Sequence, residues 1–575
     1  MNKKWIVFPE IEEDFRQQFP EINPIVLQLL FNRGLINQKE IDEFLSPEYS
    51  KNLNDPFLFT QMEKGVKRAY QALKKNEKVL VYGDYDADGV TSSVILLETL
   101  KELGFKDVSI HLPDRETEGY GLNAKTIERY AGEGVNLIIT VDCGVSNNAE
   151  IRLAHKLGID VIVTDHHSQP LELPDKAIAI INPKVMADKY PFRELAGVGV
   201  AFKFCQGLLA RQEKYLGARK IVEGWEKWFL DLVALGTIAD LMPLIGENRT
   251  LVKYGLMVLN KTRRLGLQTL FKQIGLEGKD LNAYNIGFQI GPRINAAGRM
   301  EHADIAVSLL VTDSVEHANK IAENLDNKNK ERRSVIDKIL RESEKQILDS
   351  GVDANCLILL GDNWPIGVVG LVAGRLMDSY YRPVLVISNR DGELTGSGRS
   401  IAELNIVEIL QSLEKYLAHY GGHPRACGFT LKDENMLEDF RRDFSKCVDG
   451  VLKDKILQPT LEIDAEIKLE HVNWELQEEI EKFEPFGQNN STPIFLIKDL
   501  EIDGMAFLGK TENHLRLMVK QGAIGPKKML GFFMAKDWGS KIKIGDHVDA
   551  IVEISVNQWN GTRELEFRIV DLKIN

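Results

Sequence analysis

Residues 79–91 constrain this chain more than any other stretch. Val79-Leu80-Val81-Tyr82 is an apolar run that stops at Gly83, and Asp84, Asp86 and Asp88 then alternate before Gly89. Beyond them Val94, Ile95, Leu97 and Leu100 recur at helical spacing. The pattern predicts a buried strand feeding a helix, with three aspartates in the turn between them. In open α/β sheets such turns lie at the carboxyl edge of the strands, where ligands bind. Crowded carboxylates repel one another, and a hard divalent cation with oxygen ligands is their usual neutraliser. A solvated acidic turn is the simpler alternative.

Two further strands decide against that alternative. Leu137-Ile138-Ile139-Thr140-Val141 ends at Asp142-Cys143-Gly144, and Val161-Ile162-Val163-Thr164 ends at Asp165-His166-His167. With 108–112 as another strand and helical patterns between them, residues 76–245 read as a parallel sheet covered on both faces. Right-handed crossovers would bring all three Asp- or His-bearing ends to one edge of that sheet. Asp240 stands in an apolar segment, Leu235-Gly236-Thr237-Ile238-Ala239-Asp240-Leu241-Met242, where a lone carboxylate needs a partner, a metal or a helix to cap.

At 575 residues, 44% hydrophobic and 27% charged, the chain is a multidomain globular protein. The expected fold class is α/β multidomain, in five parts. Residues 1–75 form a helical lead-in and 76–312 the parallel-sheet domain. Residues 313–350 form a connecting helix, polar on every side between Asp326 and Arg333 and therefore expected to bridge two lobes through solvent. Residues 351–455 form a second α/β domain, and 456–575 a small β-barrel of the OB type, a common oligonucleotide platform. Asn560-Gly561 is its hairpin signal, and Phe532, Phe533, Trp538 and Trp559 are candidates for stacking on bases or for its core. The barrel is expected to be dispensable for the metal chemistry.

Net charge of −13 gives no global sign of nucleic-acid binding, so any such site must be a local basic patch. Three glycine-rich stretches could supply one: Gly291-Pro292-Arg293-Ile294-Asn295-Ala296-Ala297-Gly298-Arg299, Gly396-Ser397-Gly398-Arg399-Ser400 and Gly421-Gly422-His423-Pro424-Arg425. Glycine-rich backbone beside Ser and Arg suits an anion, although each could equally be an ordinary turn. Five cysteines without CxxC spacing argue against zinc and disulfides and fit a reducing cytoplasm. Neither a signal peptide nor a transmembrane helix is expected.

Asp84-Tyr85-Asp86-Ala87-Asp88-Gly89, Asp142-Cys143-Gly144 and Asp165-His166-His167 together resemble the successive signatures of the DHH phosphoesterase superfamily. Gly421-Gly422-His423 resembles the glycine-rich element of its companion DHHA1 domain. Pro113-Asp114-Arg115, Glu118-Gly119-Tyr120-Gly121-Leu122, the Asp240 segment, residues 291–299 and the terminal barrel are similar to the branch that degrades single-stranded DNA. The resemblance implies two divalent ions, Mn²⁺ or Mg²⁺, held by Asp84, Asp86, Asp88, Asp142, His166 and Asp240. It implies catalytic roles for Asp86, for Asp142 as a bridge and for His167 at the scissile phosphate. Arg115, Ser397 and Arg399 would hold the 5′ end. Tyr120, Arg293, Asn295, Arg299, His423 and Arg425 would line the strand's path. The implied reaction is 5′→3′ hydrolysis of single-stranded DNA to 5′-mononucleotides in recombination and repair. A monomer is expected, with a single-strand-binding protein and a RecQ-type helicase as candidate partners. The chain ends at the barrel, without the extra C-terminal domain some members carry, which leaves partner contacts open. Rival readings are a superfamily enzyme for short oligonucleotides or cyclic dinucleotides, and a binding module without catalysis; the presence of every implied ligand disfavours the latter.

Overall fold

A computed structural model describes residues 3–115, 117–218, 220–350, 354–559 and 561–575, apart from the side chains of Ser350, Gln558 and Trp559. Its first large unit is a parallel sheet of Val108–His111, Lys78–Tyr82, Val135–Val141, Asp160–Thr164 and Ala179–Ile181, in that spatial order. The strands are short, apolar and almost wholly buried, as a sheet covered on both faces requires. One face packs on a large core that includes helices Ala87–Leu103, Gly197–Ala210 and Leu230–Ala239, and the other on a smaller core around Ile127, Ile138 and Ile151. The order sets Lys78–Tyr82, Val135–Val141 and Asp160–Thr164 side by side, so their carboxyl ends meet.

The second lobe is a mixed sheet. Leu357–Asp362 and Val384–Arg390 run parallel, and Glu393–Arg399, Ala426–Leu431 and Leu417–His423 follow antiparallel. Strands Ile494–Leu508, His514–Gln521, Ile524–Gly531, Thr562–Ile574 and His547–Trp559 close into a barrel through the pairing of the first with the last. Asn560 of the expected hairpin, and the Trp559 side chain expected to stack, lie outside the described residues.

Three expectations need correction. The lead-in is not one unit. Helix Met62–Lys75 belongs to the core of the parallel-sheet unit, whereas Ile11, Val26, Leu29, Ile41 and Phe44 share a core with the barrel. Strand Lys4–Val7 also pairs parallel with Thr460–Ile463. The connecting helix, Val315–Ser350, is not polar on every side in effect: Asp326, Asn329 and Arg332 are buried at three-residue spacing, as are Ile336 and Ile339. Polar side chains that find partners in the packing, such as Asp326 with Arg293 at 2.8 Å, read in sequence like solvated ones.

None of the three glycine-rich stretches is a loop throughout. Gly291–Met300 is a helix, and a Cβ on Gly298 would stand 2.4 Å from the Tyr85 carbonyl oxygen, so this glycine permits close packing on the aspartate turn. Gly396-Ser397-Gly398-Arg399 lies in one strand and Gly421-Gly422-His423 in another. Of the aromatics left open between stacking and core, Trp538 packs against the barrel core, while Phe532 and Phe533 are exposed.

Candidate metal centre and substrate cleft

Each acidic side chain is fixed by the way its strand ends. After Lys78–Tyr82 the chain turns so that Asp86 caps helix Ala87–Leu103, its Oδ1 accepting from the Asp88 and Gly89 amides at 2.8 and 3.1 Å. Asp88 is buried in the first turn of that helix. Both of its oxygens accept backbone N–H groups, from Gly197 and Val198, at 2.7 Å. After Val135–Val141, Asp142 adopts a left-handed conformation (φ 60°), which Asp tolerates better than most residues. A Cβ on Gly197 would meet Asp142 Oδ1 at 2.5 Å, so only glycine lets this helix start against the carboxylate. Asp240 terminates helix Leu230–Ala239. A carboxylate there opposes the helix dipole, so the capping alternative does not apply.

His166 Nε2 faces three of these groups, at 3.1 Å from Asp142 Oδ1, 3.6 Å from Asp240 Oδ2 and 3.9 Å from Asp88 Oδ2. Three overlapping sets each bring single ligand atoms within 4.8 Å of one another: Asp84, Asp86 and Asp142; Asp88, His166 and Asp240; and Asp142, His166 and His167. Asp84 Oδ1 and Asp142 Oδ1 are buried without a hydrogen-bond partner among the described residues. Orphaned, inward-facing carboxylate oxygens beside a neutral imidazole are the donor set that a hard or borderline divalent ion takes. The residues therefore fit Mn²⁺ or Mg²⁺.

The electrostatics say the same. Burial, and then repulsion from neighbouring carboxylates, push Asp84, Asp142 and Asp240 well above the usual range and Asp88 up to about 7. Burial, aided by the charge of His167, pushes His166 down to about 3, so its imidazole is neutral and able to coordinate. His167 behaves oppositely. Burial disfavours its charged form, but the bond of its Nδ1 to Asp165 Oδ1 at 2.8 Å and the surrounding acids outweigh it, and its pKa rises.

Asp165 is the residue that reading the sequence for ligands misses. Its carboxylate accepts from the His166, His167 and Val145 amides as well as from the His167 ring, and it belongs to none of the three ligand sets. Its place at the strand end beside two histidines was the available signal; only geometry separates an orienting acid from a ligand.

Beside this cluster a cavity of about 600 Å³ opens between the lobes, lined by Arg115, Tyr120, Arg299, Ser397 and Arg399, with His419 and Tyr420 on its second-lobe wall. The Tyr120 hydroxyl stands 3.0 Å from His167 Nδ1, which ties the cavity to the metal set. Arg399 Nη1 donates to Ser397 Oγ at 3.3 Å, and Arg299 Nη1 to the Gly367 carbonyl at 2.7 Å. Burial lowers the pKa of both arginines, that of Arg299 to about 10 with help from Arg115.

Other expected contacts lie elsewhere. Arg293 is paired with Asp326 and donates to the Gln289 carbonyl, which fastens its helix to the connecting helix. Asn295 Oδ1 accepts from the Ala87 amide at 2.7 Å and braces the aspartate turn. His423 and Arg425 are exposed at the tip of a hairpin, and neither lines the cavity.

Comparison with known proteins agrees with this geometry. The model for the DHH family, N-terminal domain, matches residues 78–237, that for the DHHA1 domain residues 353–450, and that for the RecJ OB domain residues 463–571. Fold and site thus define a DHH-type phosphoesterase. The single-stranded-DNA-specific exonuclease RecJ of Bacillus subtilis is 36% identical over 96% of this chain and 68% of its own length. That of Escherichia coli K12 is 31% identical over 96% of both. Crystal structures of RecJ from Thermus thermophilus superpose with a TM-score of 0.83 for the Mn²⁺ complex (28% identity) and 0.77 for the Mg²⁺ complex (27% identity). The match covers 99% of this chain in both, and 79% and 78% of those chains. The chain belongs to the RecJ family of single-stranded-DNA-specific exonucleases.

Proposed function

We propose that this protein hydrolyses single-stranded DNA stepwise from the 5′ end, releasing 5′-mononucleotides, with two divalent ions at the strand ends. The observation that carries the reading is the adjacency of the orphaned carboxylates to a basic cavity between the lobes. Asp84, Asp86, Asp88, Asp142, His166 and Asp240 would hold the ions, and Asp142 belongs to two of the three ligand sets. When bound, a pair of divalent ions lowers the pKa of water and stabilises both the attacking and the leaving oxygen of an in-line displacement.

The chain's own residues do the rest. Arg115, Ser397 and Arg399 grip the terminal phosphate, the guanidinium forks matching its oxygens. His167, its pKa raised and its ring bonded to the cavity-lining Tyr120, would donate to the scissile phosphate while Asp165 fixes its ring. Tyr120 and Arg299 line the way in, and His423 and Arg425 reach the strand from the hairpin tip.

A monomer in the cytoplasm, working in recombination and repair beside a single-strand-binding protein and a RecQ-type helicase, is the corresponding setting. The five cysteines are free, and among the described residues no helix is long and apolar enough to cross a membrane.

The test is digestion of one strand labelled at either end. A 5′ label should leave as a mononucleotide at once and a 3′ label only last, with Mn²⁺ or Mg²⁺ present and not with EDTA; early release of the 3′ label would reverse the polarity. Asp165→Asn should slow hydrolysis on the order of 10–100-fold, as loss of an orienting partner does. The basic limb of the pH profile should also move to lower pH, because His167 loses the bond and charge that raise its pKa. An unmoved limb would show that His167 does not act as a charged donor.

A further inference from the structure

A second cavity, of about 430 Å³, is lined by Ile238 and Leu241, which flank Asp240 in the chain. Its floor is the turn after Asp240, its wall the segment 283–288, and its far side residues 484–492 of the barrel domain. Leu241, the neighbour of a proposed ligand, is 73% exposed there and held at φ 56°. Leucine rarely adopts that conformation, and such outliers gather at functional sites.

The wall carries an aromatic pair. Tyr284 and Phe288 are 59% and 63% exposed, with ring centroids 4.9 Å apart and planes inclined by 30°. Phe288 stands on a π-helical turn, Ile286–Ile290, a distortion that often marks a functional position. Leaving two stacked rings in water forgoes their burial, and nothing in the hydrophobic cores accounts for them. Among the described residues the lining has no lysine or arginine, one carboxylate (Glu484), and amides and hydroxyls at Asn282, Gln488 and Ser491. Such walls repel phosphate and suit a flat heterocycle with hydrogen-bonding edges.

Position names that heterocycle. Each cavity touches a neighbour of the metal set: Tyr120, bonded to His167, lines one, and Leu241, next to Asp240, lines the other. A strand whose 5′ phosphate sits in the basic cavity must leave past the cluster toward the barrel. We propose that Tyr284 and Phe288 form a stacking platform for the bases just 3′ of the scissile phosphate, with Leu241 as its edge. The assignment rests on the 5′→3′ reading above. The platform holds bases while the arginines hold phosphate, so it grips the strand's register without adding charge to an acidic protein.

The experiment uses full-length, metal-free protein and a 5′-phosphorylated oligodeoxynucleotide with 2-aminopurine placed at successive positions. Quenching should appear at one or two positions 3′ of the first phosphodiester. Phe288→Ala and Tyr284→Ala should abolish it there and weaken binding about tenfold, in the range of a lost base stack. Phe288→Trp should retain both. An abasic nucleotide at the quenched position should weaken wild type and leave Phe288→Ala no weaker than before. Unchanged quenching and affinity in a Phe288→Ala protein of wild-type melting temperature would overturn the platform, while Mn²⁺-dependent 5′ digestion by wild type kept the functional reading. Absence of that digestion would overturn both.

Discussion

Asp142→Asn should reduce hydrolysis of single-stranded DNA on the order of a thousandfold or more while leaving the protein folded. The carboxylate belongs to two of the three ligand sets and lies 3.1 Å from His166 Nε2, so one substitution weakens both proposed ion positions. Asparagine keeps the shape, and its backbone accepts the left-handed conformation that Asp142 adopts. Strand binding should survive, because the residues proposed to hold phosphate, Arg115 and Arg399, line the neighbouring cavity and are untouched. A well-folded variant with more than roughly a tenth of wild-type activity would remove Asp142 from the mechanism.

The same variant makes an unusual stability prediction for chelated protein. Asp84, Asp88, Asp142 and Asp240 have folded-state pKa values above those of an unfolded chain, through burial and mutual repulsion. The folded state therefore holds more protons, and stability falls as pH rises. What the cluster contributes is fully present below about pH 4, the unfolded carboxylate range, and is lost as pH rises through the raised folded-state values, about 7 for Asp88. Metal-free Asp142→Asn should thus melt above wild type at pH 8 and close to it at pH 4. Manganese should raise the melting temperature of wild type far more than that of the variant. Equal pH dependence in the two proteins would mean the carboxylates are not coupled.

The part of the site legible in the sequence is the part made by strand ends. Three apolar runs stopping at Asp84, Asp142 and Asp165 carry both the fold and the cluster in one local pattern, because a buried parallel strand must end where ligands can reach it. What escaped depends on packing between distant segments. Gly197 presses on Asp142 from a helix that begins 55 residues later in the chain (197 minus 142), and its sequence neighbourhood, Ala196-Gly197-Val198-Gly199, looks like any helix start. Arg293 and Arg299 sit six positions apart in one helix, yet one closes an ion pair and the other faces the cavity. Residue type suggested phosphate for both; only the position of Asp326 on the connecting helix separates them. The exposed pair Tyr284 and Phe288 was equally silent, since two aromatics four apart normally signal a buried helix face.

Removing residues 456–575 should not leave an intact catalytic protein, contrary to what the segregation of ligands before residue 245 suggests. Arg249, buried within the catalytic domain's helix Gly246–Leu259, donates to the Phe483 and Lys482 carbonyls and to that of Phe44. Truncation would strip two acceptors from a guanidinium whose desolvation is already severe, and a buried donor left unpaired costs about 1–3 kcal/mol, more when charged. Arg33 loses Asn490 and Asp464, and Leu244 loses its backbone bond to Gln488 just beyond Asp240. The greater loss is apolar. Ile11, Val26, Leu27, Leu29, Leu30, Ile41 and Phe44 are buried in the core shared with the barrel. At about 1.5–3 kcal/mol for each large side chain exposed, losing even half of that burial rivals the stability of a whole domain. The single truncation should therefore aggregate or be degraded, whereas a protein lacking both 1–45 and 456–575 should be more soluble, since the orphaned helices leave with their partner. The measurement is soluble yield and melting of the two truncations side by side, followed by Mn²⁺-dependent cleavage of short and long strands by the survivor. A single truncation as soluble and as heat-stable as full-length protein would show that the N-terminal helices do not depend on the barrel, and that the barrel is an appendage to the strand path.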